Sequence, residues 1–139
     1  MEHWMTYVKA AYEVILMAEE RSSINLEHEV EAFVVHTFAR YIERPNIPTD
    51  AIAIKMLTTV NERGEIRKKH FQEIAEECLL IDGLGLNRRR WPSEKYYSDM
   101  GRLALEYRAW SGRPPELFYE QVARQFNTIS VLLHSVKHP

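Results

Sequence analysis

The sequence predicts an all-α protein. It reads as a single helical domain over residues 1–139, a bundle of five to six helices whose sequential neighbours pack mostly antiparallel. Three observations predict this. Apolar residues recur at spacings of three and four through every long segment, the period that gathers side chains on one face of a helix. The breaks between segments are built from Gly, Pro and Asn, which end helices through backbone conformation or a missing N–H. No run alternates apolar and polar residues for long enough to form a sheet, and the short connections favour antiparallel neighbours.

The elements follow in order. Trp4, Val8, Ala11, Ile15 and Ala18 share one face of a first helix, and Tyr7, Tyr12 and Val14 widen it, so this helix is expected to touch more than one neighbour. Arg21 to Asn25 is a polar break, with Asn25 placed to cap the next helix because its side chain can accept a bond from a free backbone N–H. The second helix runs to about Ile42 and buries Leu26, Val30, Phe33, Val34, Thr37 and Tyr41. Pro45 biases Arg44 out of the helical region, and Pro45 and Pro48 each lack a donor, so the chain cannot continue as helix there. Thr49 or Asp50 caps a short third helix through Val60, with Ile52, Met56 and Val60 inward.

Arg63-Gly64 makes the next break, and a fourth helix spans Glu65 to Ile81 with Phe71, Ile74, Cys78 and Ile81 on its inner face. Gly83 is expected to supply the left-handed residue that closes it. Asp82 to Pro92 is the one substantial loop. Ser93 opens a fifth helix whose buried stripe is expected to be Tyr96, Met100, Leu103, Tyr107 and Trp110, ended by Gly112. Gly101 lies inside it at a cost of about 1 kcal/mol against alanine, which predicts close approach of another helix. Pro114-Pro115 pre-set the first turn of a last helix carrying Phe118, Val122, Phe126, Ile129, Leu133 and Val136.

Composition narrows the function classes. Hydrophobic residues make up 45% and charged residues 27%, a balance that supports a packed core. The net charge of -2 gives no global field towards nucleic acid or anionic lipid. Cys78 is the only cysteine, which excludes an internal disulfide and a cysteine-based zinc site and fits a reducing compartment. The longest apolar stretches, such as Val14 to Ala18, fall far short of a bilayer span of roughly 20 residues, and the first residues carry no positive charge. A cytoplasmic, membrane-free protein is expected.

No catalytic set, metal or cofactor is expected from the motifs. Di-iron bundles use Glu-x-x-His; here the order is reversed, in His28-x-x-Glu31 and His70-x-x-Glu73 with Glu77 one turn on, and glutamate is abundant enough to produce such matches by accident. These read as solvated helix faces. Glu29, His36 and Arg40 fall in a narrow strip beside the buried face of the second helix. A carboxylate, an imidazole and a guanidinium there suit a small anion or a proton relay, or else a rim of satisfied charges. Arg88-Arg89-Arg90-Trp91 has the chemistry to grip phosphates and stack a base. Against that stand the negative net charge and Glu73, Glu76 and Glu77 directly after the second basic run, Arg67-Lys68-Lys69-His70, so tight nucleic-acid binding is not expected. Cys78 occupies a core position and reads as a small hydrophobe.

Glu77-Cys78-Leu79-Leu80, Gly83-Leu84, Arg88-Arg89-Arg90, Tyr96-Tyr97-Ser98-Asp99-Met100-Gly101, Leu117-Phe118, Gln125-Phe126 and Val131-Leu132 form a combination over the second half of the chain. In it the chain resembles a family of small helical proteobacterial proteins with no assigned activity. The resemblance implies a self-contained helical domain and carries over no functional residue.

The function these features point to is a non-enzymatic interaction or regulatory module that self-associates, as a homodimer, or binds another protein. Trp4 and Tyr7 on the first helix and Tyr97 and Trp110 on the fifth are the expected interface, because a chain this short has limited interior to cover them. The alternative is a small-molecule or metal-binding bundle, with enzymatic activity open, using the His, Glu and Arg strips. The third is nucleic-acid binding through the arginine loop.

Overall fold

A computed structural model describes residues 2–48, 51–87 and 94–137. Among them the chain is all-α, with seven helices: α1 (Glu2–Ser22), α2 (His28–Glu43), α3 (Ile52–Val60), α4 (Gly64–Leu84), α5 (Glu94–Trp110), α6 (Leu117–Arg124) and α7 (Phe126–Lys137). One connected apolar core draws buried residues from all seven. None of the described helices is long and apolar enough to cross a membrane.

The centre is α4, which meets α2, α3, α5 and α7. Its second half is buried nearly all round: Phe71, Ile74, Cys78 and Ile81 on the expected face, and also Ala75, Leu79, Leu80 and Leu84. A single-faced reading of α4 was therefore correct but incomplete, because a helix wrapped by four others needs apolar residues on several sides. Around it, α1 pairs with α2, α7 lies against α1 and α4, and α6 packs on α5. The start of α4 meets the end of α5, where Arg67 Nε donates to Ser111 Oγ at 3.0 Å, so α4 and α5 run antiparallel.

The count of five to six helices is corrected by the break between α6 and α7. The stripe Phe118, Val122, Phe126, Ile129, Leu133 is periodic throughout, and no Gly or Pro interrupts it. The chain nevertheless turns at Gln125, whose N–H is shared by the Gln121 and Val122 carbonyls at 3.1 Å each. The turn lets α6 follow α5 while α7 lies on α4 and α1. Tertiary packing sets it, and local sequence carries no sign of it.

The expected face of α5 is also corrected. Its buried residues are Tyr97, Ser98, Gly101, Ala104, Leu105, Arg108 and Ala109, while Leu103, Tyr107 and Trp110 of the expected stripe are exposed. The reason lies in the distance of approach. A Cβ on Gly101 would stand 2.5 Å from the Phe126 ring and 3.0 Å from Cys78 Cβ. Gly101, Ala104 and Ala109 let α5 settle close to its neighbours, whereas the aromatic stripe would hold it away. The close approach expected at Gly101 is real, and it is what turns the aromatics outward.

Three terminal assignments differ as well. Asn25 does not cap α2; Glu27 stands at the N-cap with no side-chain bond, and the Leu26 N–H is taken by Glu19 Oε2 at 3.1 Å. Gly85, with φ 65° and ψ 40°, closes α4 in place of Gly83. Gly83 stays helical beneath Leu133, whose Cβ would lie 2.7 Å from a Cβ added there. Val60 is partly exposed rather than inward. The proposed caps Thr49, Asp50 and Ser93 lie outside the described residues.

Candidate functional site

Two surfaces have functional character: a polar cleft along α2 and α4, and an apolar face made by α3 and α5. The cleft comes first because the charged strip of α2 leads to it. α2 makes its main contacts with α1 and meets α4 only lightly, which leaves a cavity of about 550 Å³ reached by Trp4, His36, Arg40, Lys68, Lys69 and Arg108. Two residues of the expected strip, His36 and Arg40, therefore converge on one cleft. Glu29 is exposed and does not line it. The His36 Nδ1 lies 2.8 Å from the Ala32 carbonyl oxygen, so Nδ1 carries a proton and Nε2 is the nitrogen left for other partners. The Trp4 ring lies 6.2 Å from the imidazole.

At the base of the cleft runs a chain of polar contacts through four helices. Arg40 pairs with Glu76. Gln72 Nε2 donates to the other Glu76 oxygen at 3.2 Å. The Tyr119 hydroxyl donates to Gln72 Oε1 at 3.2 Å and accepts from Arg108 Nη2 at 3.3 Å. Arg108 Nη1 donates to Glu116 at 2.5 Å, and its guanidinium lies 4.1 Å from the Tyr119 ring centre. Glu76 is 4% exposed and Arg108 8%. Buried charges survive only when paired and hydrogen-bonded, and each of these has a partner, although the Arg108 Nε is buried without an acceptor. The Arg108 guanidinium holds the Glu116 carboxyl below the usual carboxylate range. Sequence reasoning missed Glu76 and Arg108: Glu76 entered it only as negative charge after the basic run, and Arg108 was not singled out, because burial of a single charge leaves little local pattern. The available signal was Arg108 in register with Gly101 and Ala104, one helical face of small residues ending in a charge.

A second cavity of about 330 Å³ adjoins the first and shares Arg40, Glu73 and Glu76 with it. Tyr41, Glu43 and Glu77 lie on its walls, and Lys55 of α3 reaches Glu77 at 2.6 Å.

The apolar face follows from the rotation of α5. The phenolic oxygen of Tyr96 meets the Ala53 backbone, and burial pushes its hydroxyl above the ordinary range. At the other end Arg67 donates to both the Val60 carbonyl, at 2.8 Å, and Ser111. α3 and α5 thus both lie against α4 and are linked near their ends through these side chains. On their outer sides Leu57 is 69% exposed and Trp110 64%, with Ile54, Leu103 and Tyr107, and Ile66 of α4, also reaching solvent. Tyr107 stacks on Phe71 of α4 at 5.1 Å.

Of the expected interface residues, Trp110 is exposed, with its indole N–H donating to Glu120 of α6 at 2.6 Å. Tyr97 is 1% exposed and is core, so it offers no surface. Trp4 and Tyr7 are half-buried against the core. The outer side of α1 instead exposes Met5, Tyr12, Leu16 and Met17. Arg88, Arg89, Arg90 and Trp91 lie outside the described residues.

Among the described residues no three His, Cys, Asp or Glu side chains converge as metal ligands, and His70 pairs with Glu62 at 2.5 Å. Asp82, Ser130 and His134 share a polar cavity, but Ser130 donates to Asp82 at 2.7 Å. A nucleophilic serine would donate to an imidazole. Burial pushes the Cys78 thiol far above the ordinary thiol range, so it is held protonated. Glu19 is a buried carboxyl at the α1–α2 turn, pushed up to about 7 by burial first and then by Glu31. Comparison with family models, with curated proteins and with solved structures finds no match, so the function is read from this geometry alone.

Proposed function

We propose that the protein is a non-enzymatic helical interaction module that forms a two-fold dimer through the outer face of α3 and α5. The observation that carries this reading is the orientation of α5, which buries its small residues and leaves Leu103, Tyr107 and Trp110 outside, while Ile54 and Leu57 of α3, which packs on the same helix α4, are exposed as well. Large exposed apolar patches on small domains usually mark contact sites. Trp and Tyr supply contact energy at small entropic cost. Closed two-fold symmetry is the commonest way for identical chains to cover such a patch, because the same surface serves on both sides.

Sedimentation at micromolar concentration tests it. The expected result is a dimer that Leu57→Glu and Leu103→Glu each dissociate, while Leu16→Glu on α1 leaves it intact. Both α3 and α5 positions are exposed, so the variants should fold. A monomeric wild type overturns self-association, and a dimer broken only by Leu16→Glu moves the interface to α1. A second reading, a bundle that binds a small molecule, is favoured by the convergence of His36 and Arg40 on the α2–α4 cleft.

A further inference from the structure

The α2–α4 cleft is ordered by charge along its length. Its α4 wall carries Glu65, Lys68 and Lys69 at one end and Glu73, Glu76 and Glu77 towards the other. The two adjoining cavities meet at the Arg40–Glu76 pair, which is internally neutral. On the Trp4 side Lys68 is matched by Glu65 at 3.2 Å and stands 3.8 Å from Glu116, which leaves Lys69 as the freer cation. Lys69 is 72% exposed and only 4.0 Å from Glu73 at its nearest, so its ammonium is loosely held. Arg108 on that side is already matched by Glu116. On the other side Glu77 stands with Lys55 on one flank. Glu43 lies across the cavity with Tyr41, and Arg44 is the cation there.

We infer that this cleft binds a zwitterionic ligand of short-peptide size, with its carboxylate at Lys69 and its ammonium at Glu43 beside Glu77. The length follows from the helix. Lys69 and Glu77 are separated by about 12 Å along α4 at ~1.5 Å of rise per residue. A free amino acid cannot bridge that distance. An extended peptide covers at most about 3.5 Å per residue, so ~12 Å is the reach of three to four residues. The aromatic rings at the two ends, Trp4 with His36 and Tyr41, give apolar contact, and a Tyr face also attracts an ammonium. This inference joins the strip on α2 to the basic-then-acidic run on α4, and it does not depend on the α3–α5 face.

Titration calorimetry with trialanine tests it, alongside N-acetyl-trialanine, trialanine amide and free alanine. The expected result is that trialanine binds at least about tenfold more tightly than either singly capped peptide and than alanine, since each capping removes one charged contact. Lys69→Gln should weaken trialanine about tenfold and abolish the difference made by amidation; Glu43→Gln should do the same for acetylation. Both residues are exposed, and circular dichroism confirms that the variants fold. No binding of trialanine at millimolar concentration overturns the inference. So does equal binding of the capped peptides, or tight binding of acetate that Lys69→Gln removes and Glu43→Gln leaves unchanged, which would make the cleft a simple anion site.

Discussion

Glu19→Gln should make the protein more stable at pH 8 than the wild type and leave it nearly unchanged at pH 5. Glu19 is buried near the end of α1. One carboxyl oxygen accepts the Leu26 N–H at 3.1 Å and so ties the α1–α2 connection. The other oxygen finds no donor, because what it faces is Glu31. Burial is the main preference for the neutral form, and a proton on Glu19 also turns that opposition into a hydrogen bond. The carboxyl is therefore raised from 4.5 to about 7 in the folded chain, with the Leu26 N–H and, less, His28 opposing the shift.

The sign follows from proton counting. Below pH 4.5 both folded and unfolded chains hold the proton, and the full stabilisation is present. Between pH 4.5 and 7 only the folded chain holds it, so stability falls as pH rises and the loss is complete above pH 7. At about 1.4 kcal/mol per pH unit the ceiling is ~3 kcal/mol. Glu31 is partly exposed, so solvent screens its side of the pair, and about 1–2 kcal/mol is the expected loss. Gln keeps the acceptor for Leu26 and offers Glu31 a permanent donor. Urea unfolding of both proteins at pH 5, 6, 7 and 8 measures the difference. A stability gap that does not change with pH would refute the reasoning.

Three further outcomes follow from the packing and the charges. Gly101→Ala should destabilise by up to ~2 kcal/mol in thermal or urea unfolding, because overpacking against the Phe126 ring costs about 1–3 kcal/mol against the ~1 kcal/mol gained in helix propensity; Phe126→Leu in the same chain should recover part of the loss. Arg40→Ala should cost about 3 kcal/mol by stranding the buried Glu76 carboxylate, whereas Glu76→Gln should cost much less because the half-exposed Arg40 can rehydrate; equal losses in urea unfolding would contradict the burial assignment. Cys78 should resist thiol reagents in the native protein and react at the rate of unfolding, since it is fully buried and held protonated; rapid labelling of folded protein would show the α4–α5 contact to be open.

Much of the fold was legible in the sequence, for a physical reason. Helical period and chain breakers are local properties, and α1 to α5 begin and end close to where Asn25, Pro45, Gly64 and Gly112 place the breaks. The glycine inside α5 also announced a close contact before its partner, Phe126, was known. What remained hidden depends on which neighbour each face meets. Periodicity shows that α5 has an aromatic stripe but cannot say whether that stripe or the small-residue stripe turns inward; the tight approach at Gly101 decides it. The same holds for the bend at Gln125, where the backbone stays nearly helical and only the separate docking of α6 and α7 requires a turn. The charged strip of α2 was visible as a pattern, and its His36 and Arg40 do meet a cleft. Glu76 and Arg108, which form the base of that cleft, carry little local mark that sets them apart, because burial of a charge is set by residues far away in the chain. Sequence by itself thus determined the helices and their class, through local backbone and periodicity rules. Only tertiary packing decided which faces were left for a partner and which charges were drawn inside, since both depend on how closely one helix can approach another.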